Sequence, residues 1–415
     1  MKEINKKINK DRTILHCDLN NFFASCECIL NPELKDVPMA VAGYEETRTG
    51  IILAKNNIAK KYNIKTAETI WQAKKKCPSL VIVHPHMELY KEYSEKVKKL
   101  YYEYTDLVEP FGIDECYLDV TNSKKLFGDG EKIADILRER VKKEFGLTIS
   151  VGVSFNKVFA KLGSDYKKPD AVTVISKENF REFLYNIPIE NLFFVGKETK
   201  KVLNKMCLDT IGKVANEKRE LLTMALGKIG GTIWDYSNGI DESEVSNFLD
   251  KKTPKSIGNG KTFEKDLEDI VLLKSEVMLL CEEISERLRN IDRKCTVVSV
   301  TFKSPDLKTK AKQTTLSSST CNASDIYSAA VEIIEKNFYN FGPVRATTIT
   351  VRGIVFDDGC EQISMFMSEE EKKKDRKLIE DTMYNIKNKY GFNSISYGIS
   401  GIRRKGKHSW KINYI

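Results

Sequence analysis

The sequence predicts a multidomain α+β protein, and three observations carry that prediction. The chain has 415 residues, enough for two to four domains at ~100–200 residues each. Its apolar content of 41% suffices for packed cores and exceeds what disordered chains carry. From residue 13 onward the apolar pattern runs strand, helix, two strands, helix, strand. That is the order of a ferredoxin-like core, here with an insertion between its first helix and second strand.

The elements follow in order. Residues 13–18 (TILHCD) read as a strand, and Asn20 or Asn21 caps a helix over 22–30 on which Phe22, Cys26 and Ile29 share a face. The insertion holds Pro32, Pro38, the strands VPMAVAG and TGIILAK, and helical patterns over 56–62 and 69–76. Residues 87–104 predict a long helix with Met87, Tyr90, Val97, Leu100, Tyr101 and Tyr104 at helical spacing, a core stripe rather than a base-stacking platform. Residues 108–120 (VEPFGIDECYLDV) predict two strands joined by a tight turn at Asp114-Glu115. A helix over 131–145 ends at Gly146. The strand LTISVGV, a helix over 156–167 stopped by Pro169, and the strand AVTVI come next. Past 186 the chain turns helical, with KETKKVLNKM and TIGKVANEKRELLTMAL. From 257 a strand, a helix (271–290), strands (295–303 and 311–318), a helix (324–338) and a strand (344–355) predict a second α+β domain. EQISMF, the charged run EEEKKKDRK and one more helix follow Gly359.

Bulk chemistry excludes several classes. Lys and Arg total 68 against 59 Asp and Glu, a net charge of +9 that suits an ordinary soluble protein as well as a nucleic-acid binder. Ten cysteines form no C-x-x-C pair and only four histidines occur, which argues against a zinc site. Thiols scattered through apolar runs suit a reducing cytosol better than a disulfide framework. The opening MKEINKKINKDRT lacks the apolar segment of a signal peptide, and no stretch of ~18 apolar residues provides a membrane span.

The chemistry lies in three acids. Side chains alternate along a strand, so His16 and Asp18 share one face and Leu15 and Cys17 the other. Asp18 ends its strand, and the hairpin turn offers Asp114 and Glu115. If these strands are neighbours, three carboxylates meet at one sheet edge, where they repel unless cations neutralise them. Mg²⁺ takes hard oxygen ligands and bridges to phosphates. Two such ions ~3.5–4 Å apart activate a hydroxyl and stabilise a leaving pyrophosphate. An isolated Asp-Glu pair in a hairpin is ordinarily a surface turn, and spacing alone leaves that alternative open.

The motifs HCDLNNFFASCE, FGIDECYLDV and SVGVSFNKVFAKLGSDYKKPD, in this order, resemble the three palm motifs of Y-family (translesion) DNA polymerases, nearest the bacterial DinB or DNA polymerase IV type. With KSIGNGKTF at 255–263, the resemblance extends over roughly residues 12–356. It implies a right-hand polymerase with a ferredoxin-like palm (1–30 and 86–186), small fingers (31–85), a helical thumb (187–245), a linker (246–256), an α+β little finger (257–358) that binds DNA, and a tail (359–415). It implies low-fidelity, distributive extension of a primer 3′ end on damaged templates, by a monomer in the cytoplasm with the nucleoid. Primer–template DNA and dNTPs are the implied partners. Two Mg²⁺ are implied, with Mn²⁺ as a substitute. Asp18, Asp114 and the Leu19 backbone carbonyl would bind metal, and Glu115 would bind the catalytic ion and support loss of the 3′-OH proton. The NFFAS turn opens a helix whose N–H groups meet the triphosphate. Phe23, beside Phe22, matches the steric gate beneath the deoxyribose, and Lys168 the lysine on the triphosphate. Asp119 reads as structural, and Ile51 and Leu53 fall in the segment over the nascent pair.

This sequence departs from the family in its fingers, where KNNIAKKYNI places Asn57 and Lys60 at positions often held by Tyr and Arg. A lysine supplies a point charge but no bidentate fork. VGKETKKVLNKM resembles a degraded helix–hairpin–helix, which aims backbone N–H groups at phosphates. Lys303, Lys308, Lys310 and Lys312 flank alternating apolar residues and predict one basic face on a strand pair, although lysines are also common on any solvated edge. Gln362, Ile363, Ser364, Met365 and Phe366 resemble the peptide by which bacterial polymerases grip the sliding clamp. Two other classes compete. A palm-fold nucleotidyl cyclase lacks thumb and little finger, and a catalytically weak DNA- and clamp-binding accessory protein would lack one of the three acids. Nothing resembles an exonuclease cluster, so proofreading is not expected.

Overall fold

The computed structural model describes residues 12–45, 50–247, 253–357 and 370–399, and the side chains of 370–377 lie outside that description. It divides near residue 251 into two compact units.

The first unit is built on a five-stranded sheet. Its strands are β1 (Ile14–Leu19), β5 (Val108–Pro110), β6 (Glu115–Asp119), β7 (Ile149–Ser154) and β8 (Val172–Ile175), and their order is β5-β6-β1-β7-β8. β1 runs antiparallel to both β6 and β7. The first four strands have the ferredoxin-like order, and β8 adds a parallel edge beyond β7. Leu15 and Cys17 point into a core with Tyr90, Leu100 and Tyr101 of the Met87–Tyr102 helix and with Ile133 and Leu137 of the Gly130–Phe145 helix. The tyrosine stripe is therefore core, as its spacing predicts. On the other face His16 lies under the Lys157–Tyr166 helix, with its Nδ1 2.8 Å from the Ser164 hydroxyl. Gly152, opposite His16 in β7, permits this close approach, because a Cβ there would stand 1.8 Å from the Ala160 carbonyl oxygen.

The insertion forms its own three-stranded sheet from β2 (Met39–Ala42), β3 (Ile52–Lys55) and β4 (Val81–Val83). Asn56 ties it together. Its Oδ1 caps the short Asn57–Lys61 helix through the Ala59 N–H at 2.9 Å, and its Nδ2 donates to the carbonyls of Leu34 and Val37 at 3.1 and 2.7 Å. Four helices, Lys197–Lys205, Ile211–Ala215, Arg219–Leu226 and Lys228–Ser237, build a further core around Phe159, Phe180, Leu203 and Ile233. The polar segment after them is strapped to the sheet. Arg12 donates to the carbonyls of Asp241 and Ser243, both at 2.7 Å, Val245 is buried, and the Ser246 N–H donates to Glu109 at 2.8 Å.

The second unit is an antiparallel sheet of β9 (Ser256–Leu267), β10 (Arg293–Lys303), β11 (Thr309–Thr320) and β12 (Val344–Arg352), in the order β11-β10-β12-β9. The helices Ile270–Arg289 and Ala323–Phe341 cover the face bearing Val298, Val300, Phe302, Ile349 and Val351. The register corrects the expected basic face. Lys310 pairs with Phe302 and Lys312 with Val300, so both stand on the helix side of edge strand β11, whereas Lys303 pairs with Thr309 on the opposite face. Lys308 lies in the turn with Asp306, at 2.8 Å.

The charged run EEEKKKDRK opens the Glu370–Tyr390 helix, which belongs to this second unit. Asn322 precedes the Ala323–Phe341 helix without capping it through its side chain. Instead Glu380, only 6% exposed, accepts from the N–H groups of Ala323 and Ser324 at 3.1 and 2.9 Å. A carboxylate at a helix N-terminus satisfies orphan donors and complements the helix dipole. Glu380→Ala is expected to destabilise the second unit by ~1–2 kcal/mol, read as a lower urea midpoint, with Glu380→Gln in between. An unchanged midpoint would mean that water caps this helix equally well.

Candidate active site

The three acids come together through strand register. β1 and β6 pair so that Asp18 lies directly opposite Glu115, and the Leu19 N–H donates to the Asp114 carbonyl at 3.0 Å. Glu115 is thus the first residue of β6, not part of the turn, and only Asp114 remains in the turn. The Met87–Tyr102 helix holds that turn through Ser94, which donates to the Ile113 carbonyl, and Lys98, which donates to the Gly112 carbonyl at 3.3 Å. Asp119 is structural, accepting from the Thr121 N–H at 3.0 Å.

Each end of the carboxylate cluster holds an ammonium group. Lys168 Nζ lies 2.6 Å from Asp18 Oδ2 and 2.8 Å from Asp165. Lys161 Nζ donates to both oxygens of Glu115, at 2.9 and 2.8 Å. Burial pushes the Asp18 carboxyl up to about 7, with Lys168 opposing and the charges of Glu115 and Asp114 adding to the rise. Burial, then Glu115, also raises Asp114. Burial works to raise Glu115 as well, but His16 and Lys161 outweigh it and hold the carboxyl well below the usual range. Of these two, Lys161 is the decisive partner. His16 Nε2 stands 3.7 Å away, beyond hydrogen-bond reach, and burial lowers the pKa of that ring toward its neutral form. Among the described residues no three acidic, histidine or cysteine side chains converge closely enough as they stand to hold a metal ion. The donor set nonetheless fits hard divalent cations, because buried carboxylates that raise one another's pKa call for positive charge.

Sequence reasoning missed Lys161, although a signal was present. Lys157, Lys161 and Ser164 recur at i, i+4 and i+7, one face of a helix, and they meet Glu109, Glu115 and His16 in turn.

The two phenylalanines separate. The Phe22 ring turns into the core at 3% exposure, so it does not share the half-open setting of the Phe23 ring. Phe23 is half-buried and stacks on Tyr90 with ring centroids 4.3 Å apart and planes 12° apart. Tyr90 is itself buried and donates to the buried Glu27 carboxylate. Asn21, not Asn20, precedes the Phe22–Leu30 helix, in left-handed conformation with φ 52° and without a side-chain cap. Its Nδ2 donates to Asn57 Oδ1 at 2.9 Å. Lys60 is open to solvent as a residue, yet crowding of its ammonium group, then the charges of Lys55 and Lys168, lower its pKa, while Asp18 opposes. Ile51 bridges to Thr69 at the edge of the inserted sheet. The segment 362–366 lies outside the described residues.

The description of the impB/mucB/samB family matches residues 17–165, and that of its C-terminal domain matches residues 254–365. A DNA polymerase IV of Acetivibrio thermocellus is 47% identical over 391 residues, 94% of this chain and 97% of that one. This chain belongs to the impB/mucB/samB family, the Y-family polymerases of the DNA polymerase IV type. Similar relatives include a DNA polymerase IV of Clostridium acetobutylicum, 33% identical over 92% of this chain and 97% of that one. A DNA polymerase IV 2 of Bacillus subtilis is 34% identical over 93% of this chain and 94% of that one. Among solved structures, the Y-family DNA polymerase chimera Dbh-Dpo4(243-245)-Dbh shares the fold, with TM-score 0.75 and 23% identity over 83% of this chain and all of that one. This multidomain α+β architecture is thus that of the Y-family polymerases.

Proposed function

We propose that this chain is a template-directed translesion DNA polymerase that extends a primer 3′ end by two-metal phosphoryl transfer. The observation that carries the reading is the register that sets Asp18 against Glu115 beside Asp114, with Lys168 reaching the same point from across the sheet. Asp18, Asp114, Glu115 and the Leu19 carbonyl would hold two Mg²⁺. Bound there, the ions lower the pKa of the 3′-OH and neutralise the pyrophosphate leaving group. Lys168, already at the Asp18 end of β1, and Lys60, whose charge couples to both, neutralise the triphosphate, and Asn57 braces the start of the Phe22–Leu30 helix through Asn21. Phe23, held flat by Tyr90, forms the floor under the sugar.

In this reading the Glu370–Tyr390 helix of the sequence-assigned tail counts with the second unit. The first unit supplies palm, fingers and thumb, and the second supplies the little finger. Lys303, Lys308, Lys310 and Lys312 serve phosphates from both sides of the β10–β11 edge instead of from one face. Among the described residues no helix is long and apolar enough to cross a membrane; the place of work proposed for the enzyme is the DNA of the cytoplasm. Primer extension with Mg²⁺ and dNTPs tests the proposal. A protein that binds primer–template but never extends it would belong to the accessory class.

Residues 362–366 are the proposed grip on the sliding clamp. Their deletion is expected to leave synthesis on short templates unaltered and to remove stimulation by a loaded clamp, because tethering acts through effective concentration. Equal stimulation of both proteins would make the peptide an ordinary stretch of tail.

A further inference from the structure

We infer that Asn20 is a positioning residue that registers the Lys168 loop against the metal-facing end of β1. The inference rests on the reading that Lys168 meets the triphosphate. Asn20 is 5% exposed and lies two residues beyond Asp18. All four of its polar groups are bonded. Its N–H donates to the Thr148 carbonyl at 2.8 Å, and its carbonyl accepts from the Ser25 hydroxyl at 2.7 Å. Its Nδ2 donates to Ser150 Oγ at 2.9 Å, and its Oδ1 accepts from the Asp170 N–H at 2.9 Å. That last bond spans 150 residues of chain.

Asp170 is where the loop is pinned. It sits at φ 55°, and its carboxylate is gripped from the Gly130–Phe145 helix by Arg138 at 3.0 Å and Lys142 at 2.9 Å. Lys168 is two residues upstream. A lysine stem is long and rotamer-rich, so the position of its backbone decides which anion its ammonium group can serve. Asn20 holds that position from just past the end of the strand that carries Asp18, while Arg138 and Lys142 hold it from the helix, so one buried side chain links the lysine loop directly to the carboxylate strand. A carboxamide does this without adding a fourth negative charge to three crowded acids. Both atoms of the carboxamide have a protein partner, which offsets much of the cost of burying it.

The test is steady-state extension with one correct dNTP at saturating Mg²⁺, for Asn20→Leu, Asn20→Asp, Lys168→Ala and the double variant Asn20→Leu/Lys168→Ala. Asn20→Leu, close in shape but with no acceptor, is expected to raise the dNTP KM about fivefold to tenfold with kcat within about twofold, loss of binding rather than of chemistry. Asn20→Asp keeps an oxygen for the Asp170 N–H and is expected to raise KM less than Asn20→Leu does, with the added negative charge beside the three acids read separately as a lower kcat. The double variant is expected to match Lys168→Ala, because two residues acting through one contact are not additive. If Asn20→Leu does not fold, Asn20→Ala removes the same acceptor without added bulk and is expected to raise KM in the same non-additive way. A KM unchanged by Asn20→Leu, or an additive double variant, while Lys168→Ala does raise KM, overturns the role of Asn20 alone. A KM unchanged by Lys168→Ala overturns the lysine's contact and this inference with it.

Discussion

Asp18→Ala, Asp114→Ala and Glu115→Ala each abolish primer extension, by at least about a hundredfold, while leaving primer–template affinity within about twofold. The expectation follows from where these groups sit. Asp18 and Glu115 are cross-strand partners at the end of a buried strand, and Asp114 is tied to the same point by the Leu19 N–H. Removing one ligand weakens the neutralisation of charge that develops only in the transition state, so the loss falls on kcat. DNA affinity rests on surfaces elsewhere and stays. Folding is the confounding term. Glu115→Ala strands the Lys161 ammonium beside the Phe111 ring, so Glu115→Gln and Asp114→Asn, which keep shape and hydrogen bonding, serve as the controls. A variant retaining more than about a tenth of wild-type turnover, a loss of only ~1.4 kcal/mol, would strip that residue of its assigned role.

Phe23→Ala is expected to raise ribonucleotide incorporation relative to deoxyribonucleotide by roughly a hundredfold or more, measured as the ratio of kcat/KM values. The ring cannot step aside for a 2′-hydroxyl. It lies flat on Tyr90, and Tyr90 is held by a buried carboxylate. Truncation to alanine opens space directly above that fixed ring. Phe22→Ala provides the contrast. Phe22 is core, so its loss costs about 3–5 kcal/mol of stability and leaves the sugar ratio where it was. An unchanged ratio in Phe23→Ala moves the gate to another residue.

Much of this was legible in the sequence because it is local. Alternation in TILHCD sorts Leu15 and Cys17 from His16 and Asp18, and the tyrosine spacing over 87–104 marks a core helix. The misreadings share a different cause. The face of Lys303 relative to Lys310 and Lys312 depends on the β10–β11 register, which strand periodicity cannot supply. Asn20 and Asn21 both read as caps of the helix over 22–30 because such residues usually are, but Asn21 makes no side-chain cap and the Asn20 carboxamide bonds a residue 150 positions away. Glu115 was placed in the turn because a strand boundary is the least sharply written feature of a hairpin.

The paired lysines also bear on the order in which ligands arrive. With Lys168 on Asp18 and Lys161 on Glu115, the site has resident counter-ions before any substrate enters. A free divalent cation must compete with an ammonium group already in contact, so it gains little by arriving alone. A nucleoside triphosphate offers Lys168 a richer anion, and the carboxylate it leaves behind becomes vacant just as the cation escorting that triphosphate comes within reach. On the proposed reading, entry would be an ion exchange in which nucleotide and metal each clear the other's seat, and productive binding would favour the metal–nucleotide complex over either component separately.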